Sequence, residues 1–99
     1  MRDKEFPHIE YTALFNRQLK KAPLDIKIAF KESRELFIDN PNHPNLRNHA
    51  LQEKYAGYRS IDVTGDYRAL FKIKESKTQI VITFHILGTH TQLYNIDRF

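Results

Sequence analysis

The run TQIVITFHIL at residues 78–87 constrains the fold of this chain more than any other stretch. Successive side chains of a strand point to opposite faces. Ile80, Ile82, Phe84 and Ile86 fall on one face, Val81, Thr83, His85 and Leu87 on the other. A strand that is apolar on both sides needs cover on both, which predicts a place inside a sheet rather than at its edge. With 99 residues the chain can build one small domain, residues 1–99, around one modest core. The other apolar segments must therefore pack on this strand.

Two more strands precede it. YRSIDV (58–63) and YRALFKIK (67–74) alternate in polarity, and TGD between them suits a hairpin turn. Ile61, Val63, Ala69, Phe71 and Ile73 are predicted to face the core. Ser60, Asp62, Arg68, Leu70 and Lys72 then face away on an open side shared with His85. FPHIEY (6–11) reads as a short first strand, with Pro7 suited to an edge. Thr12 is placed to cap a helix over residues 13–22. Residues 24–39 carry the clearest helical stripe, in which Ile26, Ala29, Phe30, Ser33, Leu36 and Phe37 recur at steps of three and four. NPNHPN then breaks the chain, and residues 46–57 read as a loop with at most one helical turn. The expectation is an α+β fold in which two N-terminal helices cover one face of a small twisted antiparallel sheet.

Composition narrows the function. No apolar run reaches the roughly 18 residues of a membrane span, and the charged start MRDKEFPHIE lacks a signal-peptide core. This predicts a cytoplasmic protein with no membrane partner. With no cysteine there is no thiolate metal site, disulfide or cysteine nucleophile. The five histidines show no paired metal-ligand spacing, so neither metal nor cofactor is expected. A net charge of +4 suits contact with a polyanion.

What remains is a set of polar residues that core packing does not require: His49, Asp62, Asp66, Arg68, His90 and Tyr94. Their chemistry suits cleavage of RNA without a metal. The RNA supplies its own nucleophile, the 2′-hydroxyl. One group must take that proton, another must protonate the departing 5′-oxygen, and a cation must hold the charge that grows on the phosphate. Histidine, with a reference pKa of about 6.5, can do either proton job near neutrality. Arginine offers a rigid cationic fork to phosphate oxygens, and tyrosine can stack on an unpaired base. Plainer readings stand beside these. Asp66 can be a turn former, Asp62 can pair with Arg68 across the hairpin, and Tyr94 can tuck the C-terminus against the core.

The stretch NHALQEKYAGYRSIDVTGDYRALFKIK, followed by LGTHTQLY, resembles the RelE/ParE superfamily of bacterial toxins, in particular the YafQ-type mRNA interferases. The resemblance is dense from Asn48 to Tyr94, and the order of two helices then three strands extends it over most of the chain. It implies the RelE-like toxin fold. It also implies an endoribonuclease that cuts mRNA in the ribosomal A site beside ribosomal RNA, and a cognate antitoxin that blocks it. His49, Asp66 and His90 fall on catalytic positions of YafQ-type toxins, and Tyr94 on the aromatic after the last histidine. Arg68 falls on the strand arginine of RelE- and YoeB-like toxins. One position departs: Asp62 stands where YafQ-type toxins carry a histidine. A carboxylate, with a reference pKa of about 3.9, is a poor proton donor near neutrality. A catalytic Asp62 would be a base or an orienting group for His49, and the proton work would shift toward His49 and His90. Two other functions follow from the same resemblance, a ParE-like inhibitor of DNA gyrase and an inactive relative that keeps antitoxin binding.

Overall fold

The computed structural model describes residues 7–95. Five strands form one sheet in the order β1-β5-β4-β3-β2. They are β1 (His8–Tyr11), β2 (His49–Ala50), β3 (Arg59–Asp62), β4 (Tyr67–Glu75) and β5 (Ile80–Thr89). The doubly apolar strand β5 lies inside the sheet, as its pattern requires. Phe6, expected in the first strand, lies outside the described residues. The sheet is mixed rather than antiparallel throughout. β1 runs parallel to β5, with His8 opposite Val81 and Tyr11 opposite Phe84. The intervening helices make this possible, because a parallel neighbour needs a crossover and not a hairpin.

Helices α1 (Ala13–Lys21) and α2 (Leu24–Asp39) cover one face. The Thr12 hydroxyl caps α1 by accepting from Phe15 N at 3.0 Å, and it donates to His85 O at 2.9 Å, so the cap also ties α1 to β5. From α2 the predicted stripe delivers Ile26, Phe30 and Phe37 to the core. There Phe84, fully buried, is surrounded by Tyr11, Phe15, Phe30, Phe37 and Phe71 at ring-centroid distances of 5.3–6.0 Å. Ile73, expected in this core, is 50% exposed, because the far half of β4 extends beyond the helical layer.

Two local features change which side chains share a face. Leu70 pairs with Ile86 but Phe71 pairs with Phe84, so His85 is the extra residue of a β-bulge. Beyond the bulge the parity of β5 is inverted. Leu87 joins the helix-side core, and Ile86 turns to the other side. That second side is not open as the alternation suggests. Leu70 is fully buried there with Tyr55 and Leu93, flanked by Leu51, Tyr58 and Ile86. Besides Leu93, this cover comes from residues 46–57, expected to be loop with at most one helical turn. They hold the short strand β2 and the 3₁₀ turn Glu53–Tyr55, after an earlier 3₁₀ turn at Pro44–Leu46.

The end of β5 is the second feature. The strand runs on to Thr89, and His90–Asn95 form a short helix, α3. Thr89 and Gln92 make a reciprocal capping box: Gln92 N donates to Thr89 Oγ1 at 3.1 Å, and Thr89 N donates to Gln92 Oε1 at 2.9 Å. Gly88 serves close approach rather than a turn. A Cβ there would lie 3.2 Å from Gln92 Oε1 and 3.4 Å from the Leu93 side chain, so α3 can fold back on β5.

Candidate active site

On the side of the sheet away from α1 and α2, pairing places the polar residues in rows. Asp62, Arg68 and Gly88 are directly opposite one another across β3, β4 and β5. The next row on that face is His49, Ser60, Leu70 and Ile86. His90 follows β5 directly, and its N–H donates to Asp66 O at 3.0 Å, which joins α3 to the β3–β4 turn. Asp62, Asp66, Arg68, His90 and Tyr94 thus gather at the turn end of the sheet, with His49 on the outer strand. Three strand spacings, about 14 Å, separate β2 from β5. A groove of about 700 Å³ runs between α1 and α3, from Leu14 and Gln18 to Gly88 and Leu93, and borders the strip at Gly88. His49, Asp66 and His90 are exposed parts of the strip, while Asp62 and Arg68 lie mostly covered between them.

His49 is exposed, and its Nδ1 lies 2.6 Å from Arg47 O. A carbonyl can only accept, so Nδ1 carries the hydrogen. In the neutral ring the Nε2 lone pair is then available to take a proton. The loop before it is well held. Leu46 is buried, Asn48 donates to Pro41 O at 3.1 Å, and Arg59 Nε donates to Asn48 Oδ1 at 2.9 Å. Arg59 shares the face of Ile61, opposite Phe71, so its charge belongs to the sheet edge rather than to the strip.

Asp62 and Arg68 are paired, as the cross-strand reading allowed. Arg68 Nε lies 3.2 Å from Asp62 Oδ1, and each side chain is only 15% exposed. Among the described residues that oxygen has no hydrogen bond, so its contact with Arg68 is an ion pair only. Asp62 Oδ2 takes Arg47 Nε at 3.1 Å. Arg68 Nη1 donates to the carbonyls of Thr64, Gly65 and Tyr67 at 3.1–3.3 Å and braces the turn. The arginine is therefore more structural than an open face would make it. Arg68→Ala should cost about 1–3 kcal/mol by leaving these acceptors and Asp62 short of a partner; thermal unfolding of the variant measures this, and an unchanged midpoint would contradict the bracing.

Asp66 is exposed in the turn, where its N–H donates to Thr64 Oγ1 at 3.2 Å. The His90 ring lies 4.8 Å from that of Tyr94, tilted by 36°. Tyr94 is 39% exposed and meets Tyr55 edge-on at 5.5 Å. Burial, helped by Tyr55, raises the Tyr94 hydroxyl pKa above its ordinary value of 10.0, with Arg68 and Lys54 acting in the opposite sense. The phenol stays neutral at physiological pH. Tyr55 in turn donates to Leu93 O at 2.8 Å and anchors α3.

Further along the same face, His85 packs edge-on against Tyr58 at 5.3 Å, and Lys72 Nζ sits 4.5 Å from the Tyr58 ring centre. Burial first, then Lys72, holds the His85 pKa below 6.5. The unfolded chain therefore takes up this proton more readily than the fold. The fold should lose stability as pH falls through 6.5, with the loss complete below the folded-state pKa. Thermal unfolding of His85→Gln at about pH 7.5 and about pH 5.5 should show a smaller pH dependence than the parent. An equal dependence would mean His85 titrates normally.

Sequence reasoning missed Arg47, since nothing in NLRNHA marks it as the partner of a residue fifteen positions on. It also missed α3, although the Thr89 to Gln92 spacing is a readable capping signal.

No family model and no curated protein sequence matches the chain. Solved structures do. YafQ from E. coli strain BL21(DE3) superposes with a TM-score of 0.69 at 26% identity, over 89% of this chain and 98% of that one. A chain of the E. coli DinJ–YafQ toxin–antitoxin complex gives 0.65 at 23% identity, over 89% and 97%. A chain of the RelBE2 toxin–antitoxin complex from Mycobacterium tuberculosis gives 0.67 at 22% identity, over 86% and 99%. Two helices on one side of a five-stranded mixed sheet, with a polar strip on the other, define a RelE-like toxin fold. The fold is that of RelE/ParE-superfamily toxins, and the chain is similar to YafQ.

Proposed function

We propose that this chain, as one toxin domain over residues 1–99, is the toxin of a type II toxin–antitoxin system. It acts in the cytoplasm as a ribosome-dependent endoribonuclease on mRNA in the ribosomal A site. The observation that carries this reading is His49, exposed on β2, with Nδ1 committed to Arg47 O and Nε2 available as a base. In this scheme Nε2 takes the proton of the RNA 2′-hydroxyl. That oxygen attacks the adjacent phosphorus and forms a 2′,3′-cyclic phosphate as the bond to the 5′-oxygen breaks. His90 gives its proton to the departing 5′-oxygen. Arg68, paired to Asp62 near Tyr94, adds positive potential beside the phosphate. Tyr94, 39% exposed, offers a ring for a base to stack on, and the Asp66 carbonyl accepts the His90 N–H and holds the start of α3 against the β3–β4 turn.

Asp62 is engaged by two arginines, so in this scheme it orients its neighbours and moves no proton. Both proton transfers run through imidazoles, and cleavage should persist in EDTA once the ribosome's own magnesium is controlled for. The exposed residues Arg17, Lys20, Lys21, Lys27 and Lys31 on the helical side offer contacts to ribosomal RNA. The toxin–antitoxin complexes among the structural neighbours support a cognate antitoxin as partner. Among the described residues no helix is long and apolar enough to cross a membrane.

His90→Ala separates the competing readings. A nuclease should lose toxicity on induction and still bind its antitoxin. A gyrase inhibitor should stay toxic, and that result would overturn the proposal.

A further inference from the structure

We infer that Arg47, anchored by Asp62, is the positioning residue that sets the tautomer of His49. Arg47 follows the Pro44–Leu46 turn with φ 48° and ψ 46°, in the left-handed region that side chains other than glycine seldom occupy. Two contacts hold it there. Leu46, the residue before, is 1% exposed and locked in the core. The Arg47 side chain reaches back to Asp62 on β3, Nε to Oδ2 at 3.1 Å. In this conformation the Arg47 carbonyl meets His49 Nδ1 at 2.6 Å. Arg68 alone would balance the charge of Asp62, so a second arginine on one carboxylate is not needed for neutrality. What the second one does is fasten the loop whose carbonyl selects Nδ1–H. The aspartate that replaces a family histidine thus acts at a distance, through Arg47, on the histidine that remains. A plain surface ion pair would be the other account, since the Arg47 side chain is 67% exposed. It would leave the tautomer indifferent to Arg47.

This inference rests on the nuclease reading for its purpose, but its test does not. Long-range ¹H–¹⁵N spectra of the purified chain, at a pH where the ring is neutral, report which nitrogen of His49 carries hydrogen. The wild type should show Nδ1–H. Arg47→Gly, which keeps a backbone suited to positive φ, should move His49 toward Nε2–H, the ordinary preference of a solvated imidazole. Arg47→Lys, which can still reach Asp62, should retain Nδ1–H at least in part. Asp62→Asn should act like Arg47→Gly, and the double variant should be no worse than either alone. Nε2–H in the wild type, or Nδ1–H unchanged in both Arg47→Gly and Asp62→Asn, would overturn the inference. Cleavage by Arg47→Gly should fall roughly tenfold in kcat with KM little changed. A wild type that cuts no RNA would instead sink the nuclease reading and leave the tautomer result standing.

Discussion

Phe84→Ala is expected to bring the chain to the edge of unfolding. Phe84 is fully buried, and every large element of the core touches it: Tyr11 from β1, Phe15 from α1, Phe30 and Phe37 from α2, Phe71 from β4. Truncating a buried phenylalanine costs about 3–5 kcal/mol, the lost transfer energy plus the cavity left behind. The rings around it are themselves held by backbone on several elements and can collapse only in part. A domain this small has about 5–15 kcal/mol in total. At about 4–8 °C per kcal/mol for such a domain, the unfolding midpoint should fall by roughly 12–40 °C. Circular dichroism on heating measures it. A drop of only a few degrees would mean that the aromatic cluster is not the centre of the core.

His49→Ala is expected to have the largest effect on activity and almost none on stability. A general base contributes about 10²–10⁴ in rate, and that factor should vanish from single-turnover cleavage of ribosome-bound mRNA. His49 is exposed on a two-residue strand and its described hydrogen bond is local, so unfolding should shift by no more than about 0.5 kcal/mol. Phe84→Ala should fail by unfolding and His49→Ala by chemistry. Retained cleavage by a folded His49→Ala would move the base elsewhere, with Asp66 the next carboxylate on the strip to test.

Much of the architecture is legible in the sequence because it follows from periodicity. The α2 stripe and the TGD hairpin form as read, and the two-sided apolar run forms β5, shifted to Ile80–Thr89. The departures arise where one residue alters a count. The bulge at His85 inverts the parity of everything after it, which moves Leu87 into the core and Ile86 out of it. Alternation cannot announce an extra residue that keeps its own chain apolar. The cover over Leu70 was hidden for a different reason. Tyr55 and Leu93 come from segments with no period of their own, and only the tertiary fold brings them together.

The site divides in the same way. Residue types alone suggested His49, Asp62, Asp66, Arg68, His90 and Tyr94, and hairpin register allowed Asp62 to meet Arg68 as an alternative to a catalytic role. Register could not show that the pair is largely buried. Nor could it show that a second arginine, Arg47, reaches the same carboxylate from a loop in left-handed conformation. Backbone conformation of that kind is dictated by what lies around the loop, here Leu46 in the core and Asp62 on β3, and leaves no mark in the residues NLRNHA themselves.

Induction of the chain in a bacterial host, with primer extension on a few abundant mRNAs beside a His90→Ala control, decides whether this fold carries a nuclease acting on translated mRNA. Cuts confined to translated regions, in frame, and absent from the control are expected. Growth arrest with every message intact would rule the nuclease out.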